Sequence, residues 1–281
     1  MKKLITRTLT GAVYVLLLVG CTIFSPVTAF FFFAIVAAAT LFEFGTIMNK
    51  RARTTITRSV NSLAGFILVG AVWLGTVTDA SNAKQAFALY GLLLIYIIVS
   101  ELYRKAEHPL RNWTFSFASQ LYIAVPFALL PLLYVEFDAK GEFVYNWHYP
   151  LALFIFLWVN DTFAYLTGSL LGRYFPPKLF PRISPKKSWI GSIGGAIFTL
   201  VAAVVLCYCW SGVMPLEKWI GFAIVVIVFG TWGDLVESHI KRQLGTKDSS
   251  HILPGHGGLL DRFDSALLAI PASVIYFFLC G

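Results

Sequence analysis

The sequence is poor in charge for a chain of 281 residues. Only 13% of its residues are charged and 58% are hydrophobic, and the mean hydropathy is +0.74. Soluble domains carry about 25% charged residues. A water-soluble core cannot bury so large a share of apolar side chains. The composition therefore excludes an ordinary soluble protein and predicts a protein whose apolar surface lies in a lipid bilayer.

Cysteine and the common nucleotide-binding motifs are also scarce. The four cysteines lie in apolar stretches and form neither a CxxC pair nor a cluster with histidine: Cys21, Cys207, Cys209 and Cys280. We interpret them as buried structural residues. The sequence contains no GxxxxGK[ST] loop and no GxGxxG after a strand, which excludes the P-loop and dinucleotide-binding signatures.

Nine apolar stretches are each long enough to cross about 30 Å of hydrocarbon as a helix. They lie near 9–25, 26–47, 59–78, 84–102, 114–135, 150–172, 189–210, 218–238 and 261–280. Their apolar runs are continuous, whereas the strands of a membrane barrel alternate polar and apolar residues. We therefore predict an all-α, polytopic integral membrane protein of about nine transmembrane helices.

The basic residues predict the orientation of these helices, because such residues favour cytoplasmic loops. With the N-terminus inside, the inner loops hold 19 of the 22 basic residues, and the outer loops keep Lys84, Lys140 and Lys218. We expect a plasma (inner) membrane protein with its N-terminus and active site in the cytoplasm and its C-terminus outside. The net charge of +8 is spread over five short inner loops. The expected partners are therefore anionic lipid head groups, and no binding to nucleic acid is expected.

The chain shows no internal repeat and no soluble linker domain. We divide it into N-terminal helices one to three (1–80), central helices four and five (81–149) and catalytic helices six to nine with their cytoplasmic loops (150–281). Lys2 and Lys3 before the first apolar stretch would also suit a cleavable signal peptide. The eight further stretches favour a first transmembrane helix.

Acidic residues within the apolar stretches concentrate in the C-terminal half, at Asp161, Asp234, Asp261 and Asp264. A carboxylate inside the bilayer costs free energy unless it faces water, a cation or a basic partner. Asp261 and Asp264 are three residues apart, which predicts that they share one face of the ninth helix. A divalent cation such as Mg²⁺ would relieve their repulsion; helix N-terminal capping is the alternative.

Glu43 is an exception in the N-terminal half, near the inner end of the second stretch. We interpret it as a structural residue that reaches the membrane interface or pairs with Arg51 or Arg53.

A glycine-rich turn, PGHGG at 254–258, precedes the ninth helix. Glycine amides and the start of a helix favour an anion such as phosphate. His256 in this turn could be a general base, a phosphate ligand or a turn residue. Two basic clusters, at 184–189 and 238–248, follow the sixth and eighth helices and so emerge on the same side as the carboxylates. Together these features favour chemistry on a polyphosphate.

The segment SHIKRQLGTKDSSHILPGHGGLLDRFD at 238–264 resembles the complete signature of the phosphatidate cytidylyltransferases, the CDP-diacylglycerol synthases. Upstream motifs also fit that family: Asn160-Asp161, Ala164-Tyr165, Gly168, Gly172-Arg173 and ISPKKSWIG at 183–191. The likeness runs from about residue 150 to the end. The N-terminal half is similar only in hydropathy and segment number.

The resemblance implies transfer of the cytidylyl group of CTP to phosphatidate, with release of pyrophosphate, in phospholipid biosynthesis. It also implies Mg²⁺, a second, monovalent cation such as K⁺, and a homodimer. The acidic cation-site positions of the family map onto Asp234, Asp261 and Asp264, and Asp161 fits less securely. The lysines of the family site, catalytic or phosphate-binding, map onto Lys241 and Lys187. The other residues predicted to bind the nucleotide are Ser184, Lys186, Arg242, Lys247, His256, Gly257, Gly258 and Arg262.

Two other functions stay open from the sequence. An ion-coupled transporter would also place carboxylates at depth, but it has less use for a glycine turn and paired basic loops at one face. A relative that uses CTP with a polyprenol or farnesol is closer, because no identifiable residue reads the lipid. The D-G-x2-A-R pattern of the CDP-alcohol phosphotransferases is absent. No residue can be singled out as the reader of cytosine.

Overall fold

The computed structural model describes residues 2–77, 80–137, 143–175, 177–250, 252 and 257–280. It describes side chains from residue 8 onward, except those of Ala80 and Phe137. His256 lies outside the described residues, so its predicted phosphate contact is not placed.

The N-terminal half consists of long helices: α1 (Lys2–Phe24), α2 (Pro26–Arg51), α3 (Arg58–Val77) and α4 (Ala80–Tyr103). Ser25 separates the first two helices and caps α2, since its hydroxyl accepts the Thr28 N–H at 3.2 Å. Pro26 takes the first helical position, where its missing N–H costs no hydrogen bond. The narrow break between the first two apolar stretches therefore lies at Ser25-Pro26.

The fifth stretch forms an irregular helix. It consists of α5 (Pro109–Ser119), a π-helical turn (Gln120–Ala124), α6 (Val125–Leu129) and a 3₁₀ turn (Leu130–Leu133). Pro126 and Pro131 lack the N–H that a regular helix needs, which accounts for the change of helix type. The buried Gln120 amide donates to the backbone and side-chain oxygens of Asn61, at 2.7 and 2.9 Å, and thereby joins this segment to α3.

The C-terminal half contains α7 (His148–Leu171), α8 (Trp189–Cys209), α9 (Leu216–Gln243), α10 (Leu260–Phe263) and α11 (Ala266–Cys280). Two short antiparallel hairpins join helices: β1 (Val135–Phe137) with β2 (Phe143–Tyr145), and β3 (Lys178–Phe180) with β4 (Ser184–Ser188).

The ninth predicted helix is interrupted at Asp264 and Ser265, which form a turn between α10 and α11. The Asp264 carboxylate accepts the Ser265 N–H at 2.6 Å. A local bond of this kind competes with helical hydrogen bonding. Asp261 and Asp264 therefore do not lie on one continuous helix, and the prediction that they share a helix face is wrong.

Eight helical segments in the described part of the chain are long and apolar enough to cross a membrane, and Thr8–Phe24 is a shorter apolar helix. These nine segments correspond one by one to the nine predicted stretches, with ends that differ by at most five residues. The predicted all-α membrane architecture is confirmed.

The chain divides into two compact units. The first unit comprises Met1–Trp147 with Gln243–Phe263, and the second comprises His148–Arg242 with Asp264–Gly281. In the core of the first unit the Phe127 ring centroid lies 6.4 Å from that of Phe33 and 5.3 Å from that of Phe263. In the second unit Phe156, Trp219 and Phe222 are fully buried, and the Trp219 and Phe222 rings each pack edge to face on Phe156.

Candidate functional site

A cavity of about 490 Å³ opens in the second unit between α7, β4, α8 and α9. It brings together several predicted site residues that are distant in sequence. Its polar lining consists of Asn160, Asp161, Ser169, Lys186, Lys187, Ser188, Ser192, Thr231 and Asp234. The site is thus lined by lysines, carboxylates and hydroxyl groups.

Glycines on α8 allow α7 and α8 to pack closely at this cavity. A Cβ atom on Gly191 would lie 2.7 Å from the Ala164 carbonyl oxygen, and one on Gly195 would lie 2.7 Å from the Asn160 carbonyl oxygen. Small residues permit such close backbone approach between membrane helices. The packing holds Asn160 and Asp161 of α7 beside the start of α8.

The β3–β4 hairpin places the two lysines that line the cavity. Ser188 ends β4 and caps α8, because its hydroxyl accepts the Gly191 N–H at 3.2 Å. Lys186 is exposed, and the Lys187 Nζ atom lies 2.6 Å from Asp234 Oδ2 on α9. Ser184 begins β4 and is half-buried, away from the cavity lining.

A second lysine, Lys241, lies on α9 and pairs with Glu237, a carboxylate that was not predicted from the sequence. Lys241 Nζ lies 2.5 Å from Glu237 Oε2, and the Glu237 side chain is completely buried. Ser238 Oγ donates to Asp234 Oδ1 at 3.2 Å, one turn earlier on the same helix. An acidic residue four positions before a lysine was the available signal, but Glu237 falls at the edge of the predicted eighth stretch.

Four carboxylates interact electrostatically in the second unit. The Asp264 carboxyl interacts through its charge with three other carboxylates, those of Asp234, Glu237 and Asp161. The approach of α9 to the Asp264 turn depends on Gly233, since a Cβ there would lie 2.6 Å from the Asp264 carbonyl oxygen. Two of these four carboxylates form ion pairs with lysines: Asp234 pairs with Lys187, and Glu237 pairs with Lys241.

The donor chemistry of this cluster fits Mg²⁺. In the described ranges, no three Asp, Glu, His or Cys side chains are grouped tightly enough to hold a metal ion by themselves. Mg²⁺ does not need such a cage, because it takes one or two carboxylates and completes its shell with phosphate oxygens and water. Asp161 and Asp234 on the cavity wall, together with Asp264, offer ligands of that type.

The remaining signature residues lie mostly in the first unit. The Asp261 carboxylate in α10 accepts the N–H groups of Ser249 and Gly258, at 3.0 and 2.8 Å, and the Ser249 hydroxyl at 2.8 Å. Asp261 and the Gly258 amide therefore stabilise the turn at 257–261, which leads into α10. The cation and phosphate contacts predicted for them stay predictions.

The other predicted nucleotide contacts are placed as follows. Lys247 and Arg262 are exposed in the first unit, and Gly257 has a φ of +81°. In the second unit, Arg242 is exposed at the end of α9 and its Nε donates to the Ile183 carbonyl at 3.4 Å. This bond joins α9 to the loop of the hairpin that carries Lys186 and Lys187.

The comparison with known families covers almost the entire chain. The sequence model of the cytidylyltransferase family matches residues 5–280. The chain belongs to the cytidylyltransferase family. The match includes the N-terminal helices, for which the motifs alone gave no more than a likeness of hydropathy. The family predicted from the signature is confirmed.

Three relatives within this family carry the same name. The phosphatidate cytidylyltransferase of Staphylococcus haemolyticus (strain JCSC1435) is 32% identical over 267 residues, which are 94% of this chain and 95% of that protein. The phosphatidate cytidylyltransferases of Staphylococcus aureus (strain COL) and Staphylococcus saprophyticus are 32% and 33% identical over 224 residues, or 80% of each chain. The chain is therefore similar to these proteins over most of their length.

Proposed function

We propose that this chain transfers the cytidylyl group of CTP to phosphatidate, forming CDP-diacylglycerol and pyrophosphate in phospholipid biosynthesis. The observation that carries the proposal is the cavity of the second unit, where Lys186 and Lys187 of β4 share the lining with Asp161 of α7 and Asp234 of α9. Such a lining suits a polyphosphate with a bound cation. Its place in a membrane protein of the cytidylyltransferase family indicates a lipid as the second substrate.

In this reaction a phosphate oxygen of phosphatidate forms a bond to the α-phosphorus of CTP. The bond from that phosphorus to the oxygen that bridges to the β-phosphate breaks, and pyrophosphate leaves. The phosphate of phosphatidate is ionised at neutral pH, so no strong general base is needed. The site has to bring two polyanions together and stabilise the charge on the leaving pyrophosphate.

The lysines of the second unit suit this task. The ion pair with Asp234 holds the Lys187 ammonium on the cavity wall, so little reorganisation is needed when phosphate binds. We assign Lys187 and Lys241 to the phosphates of CTP. Further nucleotide contacts are proposed, from the resemblance, for Ser184, Lys186, Arg242, Lys247, His256, Gly257, Gly258 and Arg262.

The carboxylates are proposed to hold Mg²⁺. We assign the ion to Asp234 and Asp264, with Asp161 beside them. Bound Mg²⁺ would offset the charge that develops on the phosphate oxygens. The roles of Asp261 as a further ligand and of a monovalent ion such as K⁺ rest on the family resemblance.

The membrane is proposed to deliver the lipid substrate. The outer face of α8 exposes apolar side chains that suit contact with lipid tails, among them Ile193, Ile197 and Val201. We place the protein in the plasma (inner) membrane with its N-terminus and active site cytoplasmic and its C-terminus outside. CTP would then arrive from the cytoplasm. A homodimer is the expected assembly.

The test uses purified protein in detergent with CTP, Mg²⁺ and either phosphatidate or a polyprenol. We expect CDP-diacylglycerol and an equal amount of pyrophosphate with phosphatidate, and no product with the polyprenol. If product forms with the polyprenol and not with phosphatidate, the lipid substrate is a polyprenol and the proposed lipid substrate is wrong. Release of neither pyrophosphate nor CDP with any acceptor would contradict an enzyme and favour an ion-coupled transporter.

A further inference from the structure

Glu43 is a carboxylate buried within the first unit. Its side chain lies on α2 and is 2% exposed. The described residues give it no ion pair with Arg51 or Arg53, which was one of the two predicted explanations. A buried carboxylate is costly unless hydrogen bonds stabilise its charge. The groups that satisfy Glu43 therefore indicate its role.

Among the described residues, the hydrogen-bond donors to Glu43 belong to the signature segment, more than 200 residues away. The Leu259 N–H donates to Oε2 at 2.8 Å, and the Leu260 N–H donates to Oε1 at 3.3 Å. The Ser249 hydroxyl also contacts Oε1, so that its one proton is shared between Glu43 and Asp261. These amides begin α10, which carries Asp261. Glu43 thus stabilises the backbone that leads into this helix.

Two glycines of the turn are required by the same carboxylates. A Cβ atom on Gly258 would lie 2.0 Å from Glu43 Oε1 and 2.1 Å from Ser249 Oγ. A Cβ atom on Gly257, where φ is +81°, would lie 2.5 Å from Asp261 Oδ2. The turn therefore closes around Glu43 and Asp261. Ser249 joins the two carboxylates, since it contacts both.

The turn held in this way borders open space. Glu43, Ser249 and Ser250 line a cavity of about 560 Å³ in the first unit, together with Thr46, Lys50 and Arg51. Hydroxyl and basic groups suit a phosphate-bearing ligand. A displaced turn would change the shape and charge of this cavity.

We propose that Glu43 is a positioning residue that holds the turn at 257–261 in the conformation needed for activity. The inference rests on the proposed cytidylyl transfer, and it links a residue of α2 to the signature segment within the first unit. Glu43 does not act on the substrate itself. Its effect passes through the backbone amides of Leu259 and Leu260 and through Ser249.

The test compares Glu43→Gln with Glu101→Gln. Glu101 is the matched control, because it is a buried carboxylate of the same unit that bonds to Arg104 and Asn112, at 2.9 and 2.8 Å, away from the turn. Both variants should lower the thermal midpoint to a similar extent. Glu43→Gln should also lower kcat/KM for CTP by about 10-fold to 100-fold, the effect of a small misplacement, with the KM for phosphatidate unchanged. Glu101→Gln should retain both constants.

A conservative variant completes the test. Glu43→Asp keeps the carboxylate and should recover part of the activity that Glu43→Gln loses. If Glu43→Gln does not fold, Ser249→Ala removes one donor to Glu43 and should show the same selective loss for CTP. Kinetic constants that change equally in the Glu43 and Glu101 variants would overturn the inference. If the wild-type protein itself makes no CDP-diacylglycerol, the proposed function fails instead.

Discussion

Lys187 and Lys241 each end in an ion pair with a carboxylate of α9, but the two pairs differ in exposure. The Lys187–Asp234 pair is about one quarter exposed on both sides, at 26% and 27%, and it lines the cavity. The Lys241–Glu237 pair is 13% and 0% exposed. The first lysine is therefore open to an incoming phosphate, whereas the second also stabilises a fully buried charge.

Replacing Lys187 tests the phosphate contact. We expect Lys187→Ala to lower kcat by about 100-fold or more, the effect of losing one preorganised donor to developing charge. Lys178→Ala is the control, because Lys178 is an exposed lysine on β3 of the same hairpin and does not line the cavity. Initial rates of CTP-dependent CDP-diacylglycerol formation measure both. Equal rates for the two variants would remove Lys187 from the site.

The buried pair allows the structural and catalytic roles of Lys241 to be separated. Lys241→Met should destabilise the protein by about 3–5 kcal/mol, because it leaves the buried Glu237 carboxylate without its ammonium partner. The double variant Glu237→Gln/Lys241→Met should recover most of that stability in thermal unfolding and remain inactive. Recovery of activity together with stability would show that Lys241 does not act on CTP.

The helices are the scale at which the sequence predicted most. Continuous apolar runs located all nine segments, because hydropathy is a local property of the chain. The interruptions were not predicted. Pro126 and Pro131 alter the helix around the π-helical turn at Gln120–Ala124, and a local side-chain bond to the Ser265 N–H accompanies the break at Asp264. The contacts of Glu43 with Leu259 and Leu260 were not predicted either, because they join distant parts of the chain.

The close packing of α7 on α8 predicts that one added methyl group, in Gly195→Ala, destabilises the protein. Gly195→Ala would place a Cβ 2.7 Å from the Asn160 carbonyl oxygen. The helices would have to separate, so we expect destabilisation of about 1–3 kcal/mol and reduced turnover. Gly91→Ala on α4 is the control, because its Cβ would meet no atom within 4 Å, and the change should preserve both stability and activity. Thermal midpoints and initial rates of the two purified variants check this prediction.

At the scale of the whole molecule, charge and composition predict how the chain lies in the membrane. Helices long and apolar enough to cross account for most of its length. The 19 basic residues of the predicted inner loops favour an orientation with the N-terminus in the cytoplasm. Sequence alone was sufficient for this argument, because insertion depends on composition and loop charge more than on tertiary packing.

The orientation predicts that the two ends of the chain lie on opposite sides. A phosphatase that is active only outside the cytoplasm should be active when fused after residue 281 and inactive when fused before residue 1. A fluorescent protein that matures only in the cytoplasm should give the opposite pattern. The same pattern at both ends would contradict an odd number of spans.

The fate of each phosphate of CTP tests the central claim most directly. Purified protein is incubated with phosphatidate, Mg²⁺ and CTP that is labelled with ³²P at either the α- or the γ-phosphate, and the lipid is separated from pyrophosphate. Cytidylyl transfer predicts that the α-label enters the lipid and the γ-label appears only in pyrophosphate, and that chelation of Mg²⁺ abolishes both. Entry of the γ-label into the lipid would indicate a kinase and would contradict the account, as would failure of the α-label to enter the lipid.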